Sequence, residues 1–92
     1  MEHSGKTAFI TGGGKNIGRA IAINLASTGC NIVLNGNSDT EACEETAQVL
    51  IEKGVKASIV MGNVGSADEV KRMASEALDQ FGRIDILVNN AA

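Results

Sequence analysis

The chain has 92 residues, which is room for one small domain, and a formal net charge of −3 at pH 7. Its eight Lys and Arg residues are scattered, so no basic surface for nucleic acid is expected. No apolar run approaches the roughly 20 residues that span a bilayer, and the N-terminus is too polar and short for a signal peptide. These features predict a soluble, cytoplasmic protein with no nucleic-acid or membrane partner.

A glycine-rich turn follows the first apolar run. Residues 7–11 predict a buried strand, and Thr-Gly-Gly-Gly-Lys-Asn-Ile-Gly follows at residues 11–18. The next run predicts a helix ending at Gly29, with one face formed by Ile17, Ala20, Ile21, Leu25 and Thr28. Three glycines can make an ordinary tight turn. A strand before and a helix after the turn favour instead a cradle for a dinucleotide pyrophosphate, because backbone N–H groups at a helix start bind anions.

Strands and helices then alternate. Strands are predicted at residues 31–35, 56–61 and 84–89. The second helix is predicted to start at the capping box Ser38-x-x-Glu41 and to end before Gly54. The third is predicted to start at Ser66-x-x-Glu69 and to end at Gly82, with one face formed by Val70, Met73, Ala74, Ala77, Leu78 and Phe81.

This alternation predicts an α/β fold. Right-handed crossovers give a parallel sheet with strand order 3-2-1-4, with helices on both faces and the ligand at the carboxyl ends of the strands. The fourth strand would keep an unpaired edge and the third helix would cover little, so the sheet looks truncated.

Cys30 and Cys43 lack metal-ligand spacing and are expected to be buried thiols, with no metal site.

The residues at two strand ends resemble a known family. Thr11-Gly12-x-x-x-Asn16-Ile17-Gly18 resembles the Thr-Gly-x-x-x-Gly-x-Gly turn of the short-chain dehydrogenase/reductase (SDR) family. Asn89-Asn90-Ala91-Ala92 resembles its Asn-Asn-Ala-Gly element after the fourth strand. Residues 18–22 and 81–88 are similar to the 3-oxoacyl-carrier-protein reductase branch, although the cofactor half is shared by many substrate specificities.

The resemblance implies that residues 1–92 are the NAD(P)-binding, Rossmann-like half of an SDR enzyme, with the catalytic half absent from this chain. It implies a cofactor site formed by Gly12, Gly14, Lys15, Asn16, Ile17, Gly18, Asn37, Asn63, Val64, Asn90 and Ala91. Here Asn63-Val64 stands for the family's Asp-Val pair at the adenine, and an ordinary loop cap explains Asn63 equally well.

Two positions depart from the family pattern. Asn16 replaces the middle glycine of the turn, and Ala92 replaces the glycine that ends the second element. Asparagine tolerates left-handed backbone better than other non-glycine residues, so Asn16 is expected to hold the bend while its side chain crowds the ligand.

The expected cofactor is NADP(H) in preference to NAD(H). By similarity, Gly36 takes the place of the acid that repels a 2′-phosphate in NAD-specific members, and Lys15 matches a basic residue that contacts this phosphate. Asn37 and Ser38 can donate hydrogen bonds, but no arginine follows Gly36 to bind the phosphate through two bonds. A merely solvated Lys15 is the alternative.

The family's catalytic Tyr, Lys and Ser lie in segments that would follow Asn90, and this chain contains no tyrosine. The 92 residues alone are therefore predicted to be inactive. The intact protein is expected to transfer hydride between NADP(H) and an alcohol or ketone, with a 3-oxoacyl thioester as one candidate, and to form a homodimer or homotetramer.

Other functions are disfavoured. A non-catalytic dinucleotide-binding module and a structural relic of the fold are the alternatives that remain open. A P-loop needs Ser or Thr after Gly-Lys, whereas Asn16 follows Lys15. A methyltransferase shares the glycine turn but not the Asn-Asn-Ala element.

Overall fold

The computed structural model describes residues 1–91, so the departure at Ala92 lies outside the described residues. Within them the elements are β1 Thr7–Ile10, α1 Asn16–Ala26, β2 Asn31–Gly36, α2 Thr40–Glu52, β3 Ala57–Met61, α3 Ala67–Phe81 and β4 Ile86–Val88. The predicted alternation of strand and helix is confirmed.

The strands form one four-stranded parallel sheet in the order β3-β2-β1-β4, as predicted. Ala8 of β1 is paired with Ile32 of β2 on one side and with Ile86 of β4 on the other. Because all four strands are parallel, their carboxyl ends meet at one edge of the sheet. The strand order reverses between β1 and β4, which is where such sheets bind ligands.

Helices cover both faces of the sheet. Ala8 and Ile10 of β1 pack in the larger apolar cluster with Ala22 of α1 and Leu50 of α2. Phe9, between them in sequence, belongs to a smaller cluster on the opposite face, with Met73 and Ala77 of α3 as its helical members. Side chains alternate across a strand, so a continuous apolar run supplies both cores.

The buried face of α1 differs from the prediction. Gly18, Ala22 and Ala26 form its buried line, whereas Ile17 is 68% exposed and Ala20 is also exposed. The three buried residues, Gly18, Ala22 and Ala26, follow an i, i+4 spacing. Because their side chains are small, the helix backbone approaches β1 and the turn closely. The prediction was wrong for Ile17 and Ala20, whereas Ile21 and Leu25 of the predicted face do pack against the larger cluster.

The start of α2 is also corrected. Asp39, and not Ser38, is its N-cap residue, because β2 continues to Gly36 and residues 37–38 form a bend before the helix begins. The start of α3 is as predicted, since Ser66 Oγ accepts a hydrogen bond from the Glu69 N–H. Gly82 ends α3 in left-handed backbone with φ 76°.

The β4 edge and the α3 face carry exposed apolar side chains. Leu87 of β4 is 68% exposed, and Val70 and Leu78 of α3 are exposed as well. A groove of about 280 Å³ lies between α3 and β4, with Phe9 and Met73 in its lining. The prediction was that α3 would cover little; α3 packs against Phe9, Val33 and Val60 of the first three strands and leaves Leu87 of β4 exposed. Among residues 1–91, no helix is both long and apolar enough to cross a membrane.

Candidate functional site

A cavity of about 600 Å³ opens at the carboxyl edge of the sheet. Its volume suits a small ligand or cofactor. The last two residues of β2 and the segments that follow all four strands line it: Gly12, Lys15, Asn16, Ile17, Asn35, Gly36, Asn37, Asp39, Gly62, Asn63, Val64, Asn90 and Ala91.

The glycine-rich turn forms one wall of this cavity. Gly12 has φ 63° and Asn16 has φ 53°, so both are in left-handed backbone. The expectation that Asn16 holds the bend is confirmed, because asparagine is among the few non-glycine residues that adopt this region readily.

The N-terminus of α1 is open toward the cavity. Its N-cap Lys15 makes no side-chain capping hydrogen bond within the described residues, and the first turn of Asn16–Ala26 contains no acidic residue. The N–H groups that begin a helix lack partners inside it and carry the positive end of its dipole. This arrangement favours an anion beside Asn16 and Ile17, and the donor set therefore fits a pyrophosphate.

Residues of β2 and α2 hold the turn from below. The Gly13 N–H donates to the carbonyl oxygen of Asn35 at 3.0 Å, and the buried Thr46 hydroxyl donates to the carbonyl oxygen of Gly14 at 2.9 Å. A Cβ atom at Gly14 would lie 2.8 Å from Cys43 Sγ. Gly14 therefore serves close packing beneath the cavity and does not line it.

Gly18 also supports the cavity from outside its lining. A Cβ atom at Gly18 would overlap the carbonyl oxygen of Gly12 and would lie 2.7 Å from Asn90 Nδ2. Asn90 Nδ2 in turn donates to the carbonyl oxygen of Gly12 at 3.2 Å. The glycine at position 18 is thus needed where the first helix, the turn and the segment after β4 converge.

Thr11 ties the segment after β4 to the turn. Its Oγ1 accepts hydrogen bonds from the N–H groups of Asn90 at 2.8 Å and Ala91 at 3.1 Å. It also lies 3.3 Å from the carbonyl oxygen of Val88, to which it donates. The two motifs singled out in the sequence are therefore joined by one buried side chain.

Asn63, after β3, caps its own loop and also lines the cavity. Its Oδ1 accepts from the Gly65 N–H at 2.8 Å, and its own backbone N–H donates to Glu69 Oε1 at 3.0 Å. The loop-cap interpretation is thus correct as far as Oδ1 is concerned. Contact between Asn63 and an adenine stays a prediction.

Of the predicted site residues, all except Gly14 and Gly18 line the cavity. Four further residues line the cavity that the sequence did not predict for the site, namely Asn35, Gly36, Gly62 and Asp39. Asn35 is buried, and its Nδ2 donates to the carbonyl oxygens of Val60 and Gly62, which fixes the ends of β2 and β3 together. An acid three positions beyond a strand end was the signal that could have identified Asp39.

Two charged side chains, Asp39 and Lys15, act on the buried Cys43 thiol. Burial raises the pKa of the Cys43 thiol above its ordinary value, the negative charge of Asp39 raises this pKa further, and Lys15 lowers it. Cys43 and Cys30 are both buried thiols, as predicted. No group of three His, Cys, Asp or Glu side chains within residues 1–91 is arranged to hold a metal ion.

A parallel sheet whose first strand leads through a glycine-rich turn into an open helix N-terminus defines the class of dinucleotide-binding α/β domains. Within that class, the chain belongs to the short-chain dehydrogenase family, because the family described as "short chain dehydrogenase" matches residues 6–92. It corresponds to the cofactor-binding N-terminal portion of such an oxidoreductase, and NAD(P) is the dinucleotide typical of this family.

Individual relatives agree with this assignment. The chain is 43% identical over 86 residues to the 3-oxoacyl-[acyl-carrier-protein] reductase FabG of Staphylococcus aureus strain N315, which covers 94% of this chain and 35% of that protein. It is 38% identical over 87 residues to the tetrahydroxynaphthalene reductase of Pyricularia oryzae, with 95% of this chain and 31% of that protein covered. The chain thus spans about a third of the length of these relatives.

Solved structures match over the whole chain. One is a metagenomic short-chain oxidoreductase in complex with NADP, with a TM-score of 0.94, 33% identity and 41% of that chain covered. Another is an NAD⁺-bound xylitol dehydrogenase, also with a TM-score of 0.94, at 37% identity and with 35% of that chain covered. Because one neighbour holds NADP and the other NAD⁺, the fold alone does not select between them.

Proposed function

We propose that this chain binds a nicotinamide dinucleotide in the cavity after β1, as part of a longer oxidoreductase that transfers hydride between NADP(H) and an alcohol or ketone. The observation that carries this proposal is the open N-terminus of α1. The first residues of α1, Asn16 and Ile17, line the cavity, and the first turn of this helix contains no acidic residue, so the helix dipole there favours a pyrophosphate.

The remaining lining suits the other parts of a dinucleotide. Ile17 and Val64 are exposed apolar side chains beside the cavity, and they offer surface to flat rings. Asn37, Asn63 and Asn90 offer amide groups that can donate and accept hydrogen bonds. When bound, the nicotinamide supplies or accepts the hydride, and the residues of this chain bind it and orient it. Gly14 and Gly18 would contribute by holding the turn in shape.

The proposed preference is for NADP(H). Gly36 presents no carboxylate of its own to the ribose, and Lys15 places a positive charge on the cavity wall. A lysine attracts phosphate as a point charge without the two-bond geometry of arginine, so the preference should be moderate.

The proposed substrate is a carbonyl compound or its alcohol, with a 3-oxoacyl thioester as the specific candidate. Support comes from the 43% identity to a 3-oxoacyl-[acyl-carrier-protein] reductase. The 92 residues contain no tyrosine, so the proton donor of the reaction is proposed to lie in a segment beyond them. The intact protein is proposed to form a homodimer or homotetramer. A dinucleotide-binding module without catalysis is the alternative.

Calorimetric titration tests the binding proposal. The protein, expressed from its complete reading frame, is titrated with NADPH and NADH, as wild type, as Lys15→Ala and as the control Lys53→Ala at the exposed end of α2. We expect tighter binding of NADPH than of NADH, and a loss of about fivefold to tenfold in NADPH affinity for Lys15→Ala alone. Tighter NADH binding, or an unchanged NADPH affinity in Lys15→Ala, overturns the preference.

A second measurement tests the reaction. NADPH oxidation is followed by absorbance with a 3-oxoacyl thioester and with simple ketones. Turnover of the thioester supports the enzyme proposal. Binding of NADPH without turnover of any carbonyl compound favours the non-catalytic module.

A further inference from the structure

Asp39 occupies the space into which a side chain at position 36 would extend. A Cβ atom at Gly36 would lie only 2.5 Å from Asp39 Oδ1, and a Cβ atom at Gly14 would lie 3.2 Å from Asp39 Oδ2. The carboxylate of Asp39 thus lies between the end of β2 and the glycine-rich turn. The structure places an acid where the sequence pattern has none.

This carboxylate is not used to cap its own helix. Asp39 is the N-cap residue of α2, yet its side chain makes no capping hydrogen bond within the described residues. An Asp at this position ordinarily accepts a hydrogen bond from the first turn. The side chain points instead toward Gly36 and Gly14 and lines the cavity.

Asp39 and Lys15 bring opposite charges to the same corner. Both residues line the cavity, and both affect the Cys43 thiol beneath it, in opposite directions. They also line an adjoining recess of about 580 Å³, where Glu41 and Glu45 add two more carboxylates. A phosphate group in this recess would meet one positive side chain and three negative ones.

We propose that Asp39 is a specificity-determining residue for the dinucleotide. It accepts a hydrogen bond from a ribose hydroxyl of NAD(H) and repels the 2′-phosphate of NADP(H), so it limits the preference that Lys15 creates. The inference rests on the proposed dinucleotide binding. Its physical basis is that the end of β2 marks the adenosine ribose in sheets of this kind, and that like charges a few ångströms apart repel strongly when partly shielded from water.

The test compares two variants whose side chains suit an N-cap position. Asn and Ser are as good as Asp at an N-cap, so Asp39→Asn and Asp39→Ser should fold, and thermal unfolding checks that they do. Glu44→Gln is the matched control, since it removes a negative charge from the exposed side of α2, where it lines neither the cavity nor the recess. The affinities for NADP⁺ and NAD⁺ are measured at low and at high salt.

We expect NADP⁺ to bind about tenfold more tightly to Asp39→Asn and Asp39→Ser, with NAD⁺ binding unchanged or slightly weaker. The gain should shrink at high salt, and Glu44→Gln should change the ratio of the two affinities by less than about twofold. An unchanged ratio in both Asp39 variants overturns the inference while leaving dinucleotide binding intact. If the wild-type protein binds neither NADP⁺ nor NAD⁺, the proposed function itself has failed.

Discussion

The hydroxyl of Thr46 on α2 donates a 2.9 Å hydrogen bond to the carbonyl oxygen of Gly14 in the turn after β1. Thr46 is fully buried and Gly14 is buried as well. The bond therefore joins two segments 32 positions apart, away from solvent, and it fixes the turn relative to α2.

Thr46→Val should destabilise the protein by roughly 1–3 kcal/mol, because valine keeps the shape but leaves the Gly14 carbonyl oxygen buried without this donor. Urea unfolding measures the change. Thr40→Val, at the exposed start of the same helix, is the control and should cost much less. Equal losses of unfolding free energy in the two variants would show that the buried hydrogen bond from Thr46 to Gly14 does not stabilise the fold.

Gly18→Ala should also destabilise the protein, by roughly 1–3 kcal/mol, because its Cβ atom would overlap the Gly12 carbonyl oxygen. Alanine gains up to about 1 kcal/mol of helix propensity over glycine, so the net loss is smaller than the clash alone. Dinucleotide affinity should fall as the turn shifts. The control is Ala20→Ser, which enlarges an exposed side chain on α1. A Gly18→Ala protein with wild-type stability and affinity would contradict this account of the packing.

Thr11→Val removes the acceptor for the N–H groups of Asn90 and Ala91. We expect a loss of about 1–2 kcal/mol in the free energy of unfolding, together with weaker dinucleotide binding, since the segment after β4 is no longer held against the turn. Thr11→Ser keeps the hydroxyl and should retain most of both properties. Chemical denaturation and calorimetry measure them, and loss of both in Thr11→Ser as well would point to the methyl group and not to the hydrogen bonds.

Asp85 should make the stability sensitive to acid. The hydrogen-bonded Arg83 guanidinium, and then the Thr7 N–H, hold the pKa of Asp85 below its ordinary value of 3.8. A carboxyl whose pKa is lower in the folded state stabilises the fold above the unfolded-state pKa, and this contribution is lost as the pH falls through the folded-state pKa.

Asp85→Asn should therefore unfold more easily than wild type at about pH 6, and the difference should narrow toward about pH 3. The urea concentration at the unfolding midpoint, measured for both proteins across this pH range, gives the difference in stability. Asp79→Asn, at an exposed position of α3, is the comparison and should track wild type. A constant gap between Asp85→Asn and wild type at every pH would exclude the charge as the cause.

Local sequence signals predicted the elements well where they depend on nearby residues. Asn16 was expected in left-handed backbone and has φ 53°, and Ser66 was expected to cap α3 and does. Ser38 offered the same kind of signal and did not cap α2, because the extension of β2 to Gly36 leaves Ser38 in the preceding bend. The same box pattern therefore gave one correct and one wrong helix start.

The sequence by itself determined the order of strands and helices, the parallel sheet and the position of the glycine-rich turn, because apolar periodicity, capping residues and glycine act over a few neighbouring positions. Only the tertiary structure decided that the buried face of α1 is formed by small residues and that Ile17 is exposed. It also decided that Gly18 packs against Gly12 and that Asp39 fills the space beside Gly36. These outcomes depend on contacts between segments that are distant in the chain, and close packing selects among side chains that the local pattern treats alike.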